Sequence, residues 1–302
     1  MRSAAGASRA AHLESDSLVM PPGIDSKPPN SNLAYTTRTG AETVYELPAG
    51  TLVRSRIAGL GLGAELMRNG TDDARTTAIF QALDRLKIEL PSWGFANTGT
   101  RFGKFVQPAA ATTIEQKFAD AAEVHRVTGS CPTMALHVRW DMPRALKDAS
   151  KVSGLAEKHG IRAGSINPNV FEGQEYKFGS IGNPDAAIRR KAVEHILECV
   201  AIAEKLHCRD ISPWFADGSN YPGTQNMRKR IGWFEEALAE IHAALRPNQR
   251  LLIEYKPFEP AFYHTDIADW GMAFLLAREA GPQAYVLVDT GHHYLSQNIE
   301  QI

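Results

Sequence analysis

Two stretches decide the fold: Leu251-Leu252-Ile253-Glu254-Tyr255-Lys256-Pro257 and, one amphipathic segment later, Tyr285-Val286-Leu287-Val288-Asp289-Thr290-Gly291-His292-His293. Each opens on an apolar run of the length of a buried strand. Each then delivers charged groups or imidazoles at its C-terminal end. The segment between them, 266–280, has helical spacing.

The same unit recurs upstream. Apolar runs at 92–96, 133–140, 161–167 and 210–215 read as strands, and 114–128, 143–159, 185–207 and 227–245 read as helices, with Pro184 at a helix start where a missing N–H does no harm. Ahead of them, Asp72 or Asp73 can cap a helix through Ile79, Leu83, Leu86 and Leu90 that Pro91 ends. Strict alternation of strand and helix implies parallel strands with right-handed crossovers. A doubly wound sheet would carry a Gly-rich phosphate turn after its first strand. Here that turn reads Gly94-Phe95-Ala96-Asn97-Thr98-Gly99-Thr100, which is not GxGxxG. Polar and aromatic residues instead recur at strand C-terminal ends, as in a barrel whose active site gathers at that rim. The expected fold is α/β, a (β/α)8 TIM-type barrel with about six βα units present. Six strands do not close an eight-stranded barrel, so the chain is expected to be an incomplete one.

The barrel domain is expected over 43–302. Residues 1–42 are rich in Ser, Ala, Pro, Gly and Asn without apolar period, and are expected to stay unordered or to serve as an arm around a partner subunit. Among 302 residues, 43% are hydrophobic and 22% charged, and the net charge is −1, which gives no electrostatic case for nucleic acid or an anionic membrane. No stretch approaches the ~20 apolar residues of a membrane span. Arg2 and Arg9 are followed by no apolar segment of a secretory signal, and Cys131, Cys199 and Cys208 form no framework. A cytoplasmic protein with buried thiols is expected.

Four clusters could carry chemistry. Glu254 and Lys256 share a strand face: a carboxylate that suits a hard divalent cation and an ammonium that can polarise a substrate oxygen, or else a strand-end ion pair. Asp289 and His292, with Gly291 for a tight turn, supply donors typical for Mn²⁺, Zn²⁺ or Co²⁺, or else a satisfied turn. Trp214, ahead of Asp217-Gly218-Ser219-Asn220-Tyr221-Pro222-Gly223, could stack on a sugar or plug the core. His137 and Trp140 end the second run. Strict alternation separates them unless the strand stops near Val138. Phe171 follows Asn167-Pro168-Asn169. The helical charges Arg189-Arg190-Lys191 and Arg228-Lys229-Arg230 read as solvated faces.

Taken in order and spacing, Pro91-Ser92-Trp93-Gly94, Gly99-Thr100-Arg101-Phe102, the Trp214 loop, Glu259-Pro260-Ala261-Phe262-Tyr263, Asp269-Trp270-Gly271 and Asp289-Thr290-Gly291-His292-His293 resemble the Pseudomonas-type L-rhamnose isomerases, relatives of xylose isomerase. The resemblance runs from about residue 75 to 302. It implies a metal-dependent aldose–ketose isomerase acting on L-rhamnose or a related hexose, with two divalent ions, typically Mn²⁺, and a tetrameric assembly. It casts Glu254 and Asp289 as ligands of one metal and His292 as ligand of the other. Lys256 would contact the substrate oxygens, His137 would assist ring opening, and Trp93, Trp140, Phe171 and Trp214 would line the sugar pocket. The family takes further ligands from strands seven and eight. An epimerase, dehydratase or phosphodiesterase of the same superfamily, or an inactive sugar-binding chain, remain open readings.

Overall fold

The computed structural model describes residues 42–47, 51–56, 74–97, 99–100, 103–219, 225–258 and 264–301. Expectations for residues 1–41, for the Asp72 or Asp73 helix cap, for Arg101-Phe102, and for the loop segments 220–224 and 259–263 lie outside the described residues. Strands Glu42–Leu47 (β1) and Thr51–Arg56 (β2) pair antiparallel and belong to a compact unit of their own.

The second unit begins with helix Ala74–Arg85 (α1) and strand Glu89–Pro91 (β3), followed by the short antiparallel pair Gly99–Thr100 (β4) and Gly103–Lys104 (β5). It continues through Ile114–Thr128 (α2), Thr133–His137 (β6), Ala149–His159 (α3), Arg162–Asn167 (β7), Ala186–Lys205 (α4), Asp210–Ile211 (β8) and Gly218–Ser219 (β9). Then come Met227–Ala243 (α5), Arg250–Glu254 (β10), His264–Thr265 (β11), Trp270–Ala280 (α6) and Ala284–Leu287 (β12). Six strands form one parallel sheet in the order β3-β6-β7-β8-β10-β12. Each strand adds beside its predecessor in one direction. A doubly wound sheet would reverse that order midway, so this is barrel wall.

The helices start and stop where local chemistry dictates. Thr113 and Gln116 make a capping box at α2, while Asp185, Asn226 and Asp269 accept backbone N–H groups at the starts of α4, α5 and α6. Gly129 and Gly160 end α2 and α3 at φ 69 and 67, where a side chain would be strained.

Along each strand, one face packs on the helices. Met134 and Leu136, Ile166, Ile211, and Leu251 and Ile253 are buried against Phe118, Ile196, Phe234, Leu238 and Leu276 in one core. The alternate residues face the barrel interior. Cys131, Cys199 and Cys208 are buried free thiols.

Several boundaries differ from expectation. The strand expected over 210–215 pairs only at Asp210–Ile211, and the helix expected over 143–159 starts at Ala149 after a 3-10 turn, Ala145–Asp148. The first strand is Glu89–Pro91, and the expected strand 92–96 is a 3-10 turn, Ser92–Phe95. Leu86 and Leu90 have helical spacing, but α1 stops at Arg85 and Leu90 instead pairs in register with Met134. The second strand ends at His137, three residues early, because Arg139 adopts a left-handed conformation, φ 83. Arg230 is no solvated charge. It is 1% exposed.

Candidate active site

The interior-facing positions converge on a cavity of about 610 Å³ at the C-terminal ends of the strands. Every nominated residue lines it: Trp93 after β3, His137 and Trp140 on and after β6, Phe171 after β7, Trp214 after β8, Glu254 and Lys256 on and after β10, and Asp289 and His292 after β12. Glu89, Ser165 and Ser212 line it too and were not nominated. Each precedes a lining residue by two, so strand periodicity would have found them once the strands were placed. Glu89 Oε1 accepts from Ser165 N and Oγ at 2.9 and 2.6 Å. Gly164 leaves room for that carboxylate, since a Cβ there would lie 1.8 Å from Glu89 Oε2. A second cavity of about 740 Å³ lies outside this site. It holds the ion pairs Lys191–Glu175 and Arg139–Glu198.

The metal-type donors come from adjacent parallel strands. Glu254 on β10 stands opposite Leu287 on β12, so Asp289 follows two residues later on the same face. The turn closes through Gly291 N to Asp289 Oδ1 at 2.7 Å and His292 N to the Asp289 carbonyl at 3.1 Å. It returns His292 Nδ1 to 3.1 Å from both Glu254 Oε1 and Asp289 Oδ2, and to 3.1 Å from the Tyr255 carbonyl. The three side chains offer ligand atoms within 4.8 Å of one another. Two carboxylates and an imidazole suit a first-row divalent cation, so these residues fit one.

Opposite them lies an aromatic box. The left-handed Arg139 folds Trp140 back onto His137, with ring centroids 3.8 Å apart and planes 21° apart. Trp93 and Phe171 meet the same imidazole edge-on at 5.9 and 5.6 Å. Burial holds His137 well below the ordinary imidazole range, at about 4, against the opposing pull of the Val138 carbonyl, Asp141 and Glu172. The ring is therefore neutral at pH 7. Its Nδ1 lies 3.1 Å from the Val138 carbonyl, which can only accept, so Nδ1 carries the proton and Nε2 keeps its lone pair. Trp214 packs on Phe171 at 4.7 Å, and the Lys256 ammonium sits 5.1 Å from the Trp214 ring centroid. The Trp214 indole N–H is buried without a partner among the described residues.

Buried charge locks the rim. Arg230 on α5 forks onto Asp266, with Nε 3.1 and 3.0 Å from its two oxygens. Asp217 accepts from Ser180 N and Oγ and from Gly182 N at 2.7, 2.6 and 2.8 Å, while Asp266 N donates to the Asp217 carbonyl. The loops after β7, β8 and β10 are thereby joined, and β9 pairs with β11 beside them. Burial pushes the Asp217 carboxyl up from 3.8 to about 6, against the Ser180 hydrogen bond and with the Asp266 charge adding. Between those values the unfolded carboxyl is ionised while the folded one keeps its proton. Stability from this group is thus full below pH 3.8 and lost as pH rises through about 6. Asp217→Asn should remove that slope. The difference in Tm between wild type and variant should move in the variant's favour from pH 4 to 7, and a difference constant with pH would refute the assignment.

Residues 117–302 match the Xylose isomerase-like TIM barrel family. The chain belongs to that family. A probable sugar isomerase of Rhizobium meliloti is 37% identical over 249 residues, covering 80% of this chain and 56% of the relative. The chain therefore spans little more than half that relative's length. An L-rhamnose isomerase of Bacteroides thetaiotaomicron is 23% identical over 81% of this chain and 60% of its own. Among solved structures, the IOLI protein with a bound zinc atom superposes with a TM-score of 0.49 at 12% identity, over 71% of this chain and 67% of that one. Within the family fold, no helix among the described residues is long and apolar enough to cross a membrane.

Proposed function

We propose that this chain carries the sugar- and metal-binding rim of a divalent-metal-dependent aldose–ketose isomerase, with L-rhamnose as the first substrate to test. The observation that carries the reading is one cavity that places a carboxylate–carboxylate–imidazole triad across from a neutral histidine boxed by indoles. Indole faces suit the C–H faces of a monosaccharide, and the polar lining suits its hydroxyls. The sugar isomerase relative supports the same class.

Glu254, Asp289 and His292 would hold the cation, Mn²⁺, Zn²⁺ or Co²⁺. When bound, it supplies positive charge that polarises hydroxyl and carbonyl oxygens of the substrate. His137 takes the anomeric hydroxyl proton at Nε2 as the bond from that carbon to the ring oxygen breaks, and returns the proton to the freed ring oxygen, while the Val138 carbonyl fixes its tautomer. Lys256, two residues after Glu254 on the same face, donates to an oxygen at the reacting carbons. Trp93, Trp140, Phe171 and Trp214 hold the ring and exclude water. The resemblance to a probable sugar isomerase supports a small monosaccharide as substrate. A homo-oligomer in the cytoplasm fits the same reading.

The test is incubation of the protein with Mn²⁺ and L-rhamnose, scoring ketose formation and bound metal together. The expected result is ketose with stoichiometric metal. Metal without ketose from any of several aldoses would favour an epimerase of the same fold, and absence of both would sink the reading.

A further inference from the structure

Asp141 does not line the cavity and is 4% exposed, yet both of its carboxylate oxygens are used. Oδ1 accepts from Lys117 Nζ of α2 at 2.6 Å, a pair whose side chains are 9% and 0% exposed. Oδ2 accepts from Ser92 Oγ and from the His137 backbone N at 2.7 Å. Asp141 N in turn donates to the His137 carbonyl at 2.9 Å. A buried ion pair is weak evidence for stability, because a packed apolar pair often does as well. This one is placed where two turns of the site meet. Ser92 precedes Trp93, the edge-on neighbour of His137. The doubly tied segment from His137 to Asp141 contains the left-handed Arg139 and returns Trp140 onto the imidazole.

We propose that Asp141 is a positioning residue of the sugar site, joining the Ser92 turn to the end of β6 and so holding the His137 imidazole inside its aromatic box. The use of that imidazole in ring opening rests on the isomerase reading, whereas its positioning does not.

The test reads the titration of the His137 ring by NMR without substrate. The charged groups that face this ring are Asp141 and Glu172, which raise its pKa, and His195, which lowers it. Deleting the Asp141 charge alone would therefore push the titration below about 4. Loss of positioning instead lets water reach the ring and moves it up toward 6.5. The two effects have opposite sign. In Lys117→Met/Asp141→Asn, which leaves no buried lone charge, the titration is expected to rise by at least about one pH unit, with a smaller rise in Ser92→Ala. Removing the other buried pair, by Arg230→Met/Asp266→Asn, should leave it in place. A titration unchanged or lowered in the Lys117/Asp141 variant overturns the proposal, as does an equal rise in the Arg230/Asp266 variant. Should the first variant not fold, Ser92→Ala decides, and an unmoved titration there overturns it. An inactive wild type with a shifted variant titration would sink the isomerase reading and leave the positioning role standing.

Discussion

Glu254→Gln is expected to lose bound divalent metal and ketose formation together. The substitution keeps the shape of the side chain and removes the charge. Glu254 Oε1 and Asp289 Oδ2 stand on either side of His292 Nδ1, each 3.1 Å from it. Neutralising one of two carboxylates removes about half of the negative charge that would hold the cation. Transition-state stabilisation by a bound cation amounts to several kcal/mol, so a loss of about 4 kcal/mol corresponds to roughly a thousandfold in rate. Metal content by elemental analysis and ketose yield should fall in parallel, and added metal should restore part of both. Full metal content in an inactive variant would remove Glu254 from the ligand set. His137→Asn makes the contrast: it should keep its metal and lose turnover of the cyclic sugar.

Arg230→Met should be the most destabilising single change on the rim. Its guanidinium is 1% exposed and forks onto Asp266, and its charge also acts on the buried Asp217 carboxyl. Methionine fills similar space but leaves two buried carboxylates without a counter-charge. Breaking a buried pair from one side costs about 3–5 kcal/mol, on the order of 10 °C in Tm. Arg230→Met/Asp266→Asn should recover much of that loss, since it removes both charges. A single variant as stable as wild type would show that water reaches the pair.

How much of this was legible in the sequence differs by kind of residue. Glu254, Lys256, Asp289 and His292 could be read because strand periodicity and strand ends are local signals. Trp140 beside His137 could be read only conditionally, since it depends on one backbone torsion at Arg139 that no residue type announces. Glu89 was lost because Leu86 and Leu90 mimic helical spacing and displaced the first strand by three residues. Asp141, Lys117, Asp217 and Arg230 were illegible for another reason. They lie on helices and loops where charge is ordinarily solvated, and their burial is decided by side-chain partners 24 to 49 positions away.

The crossover from β10 through α6 to β12 has a kinetic meaning. All three candidate ligands belong to that single unit, and its two strands are hydrogen-bonded neighbours. Only one helix and its connections must be ordered to bring the donors together, a single loop closure. A cation captured there would report on the formation of one local element, while the aromatic box across the cavity draws its rings from the ends of four other strands, β3, β6, β7 and β8. Metal capture would then be separable in folding from completion of the sugar box, because it needs one unit of the wall where the box needs several.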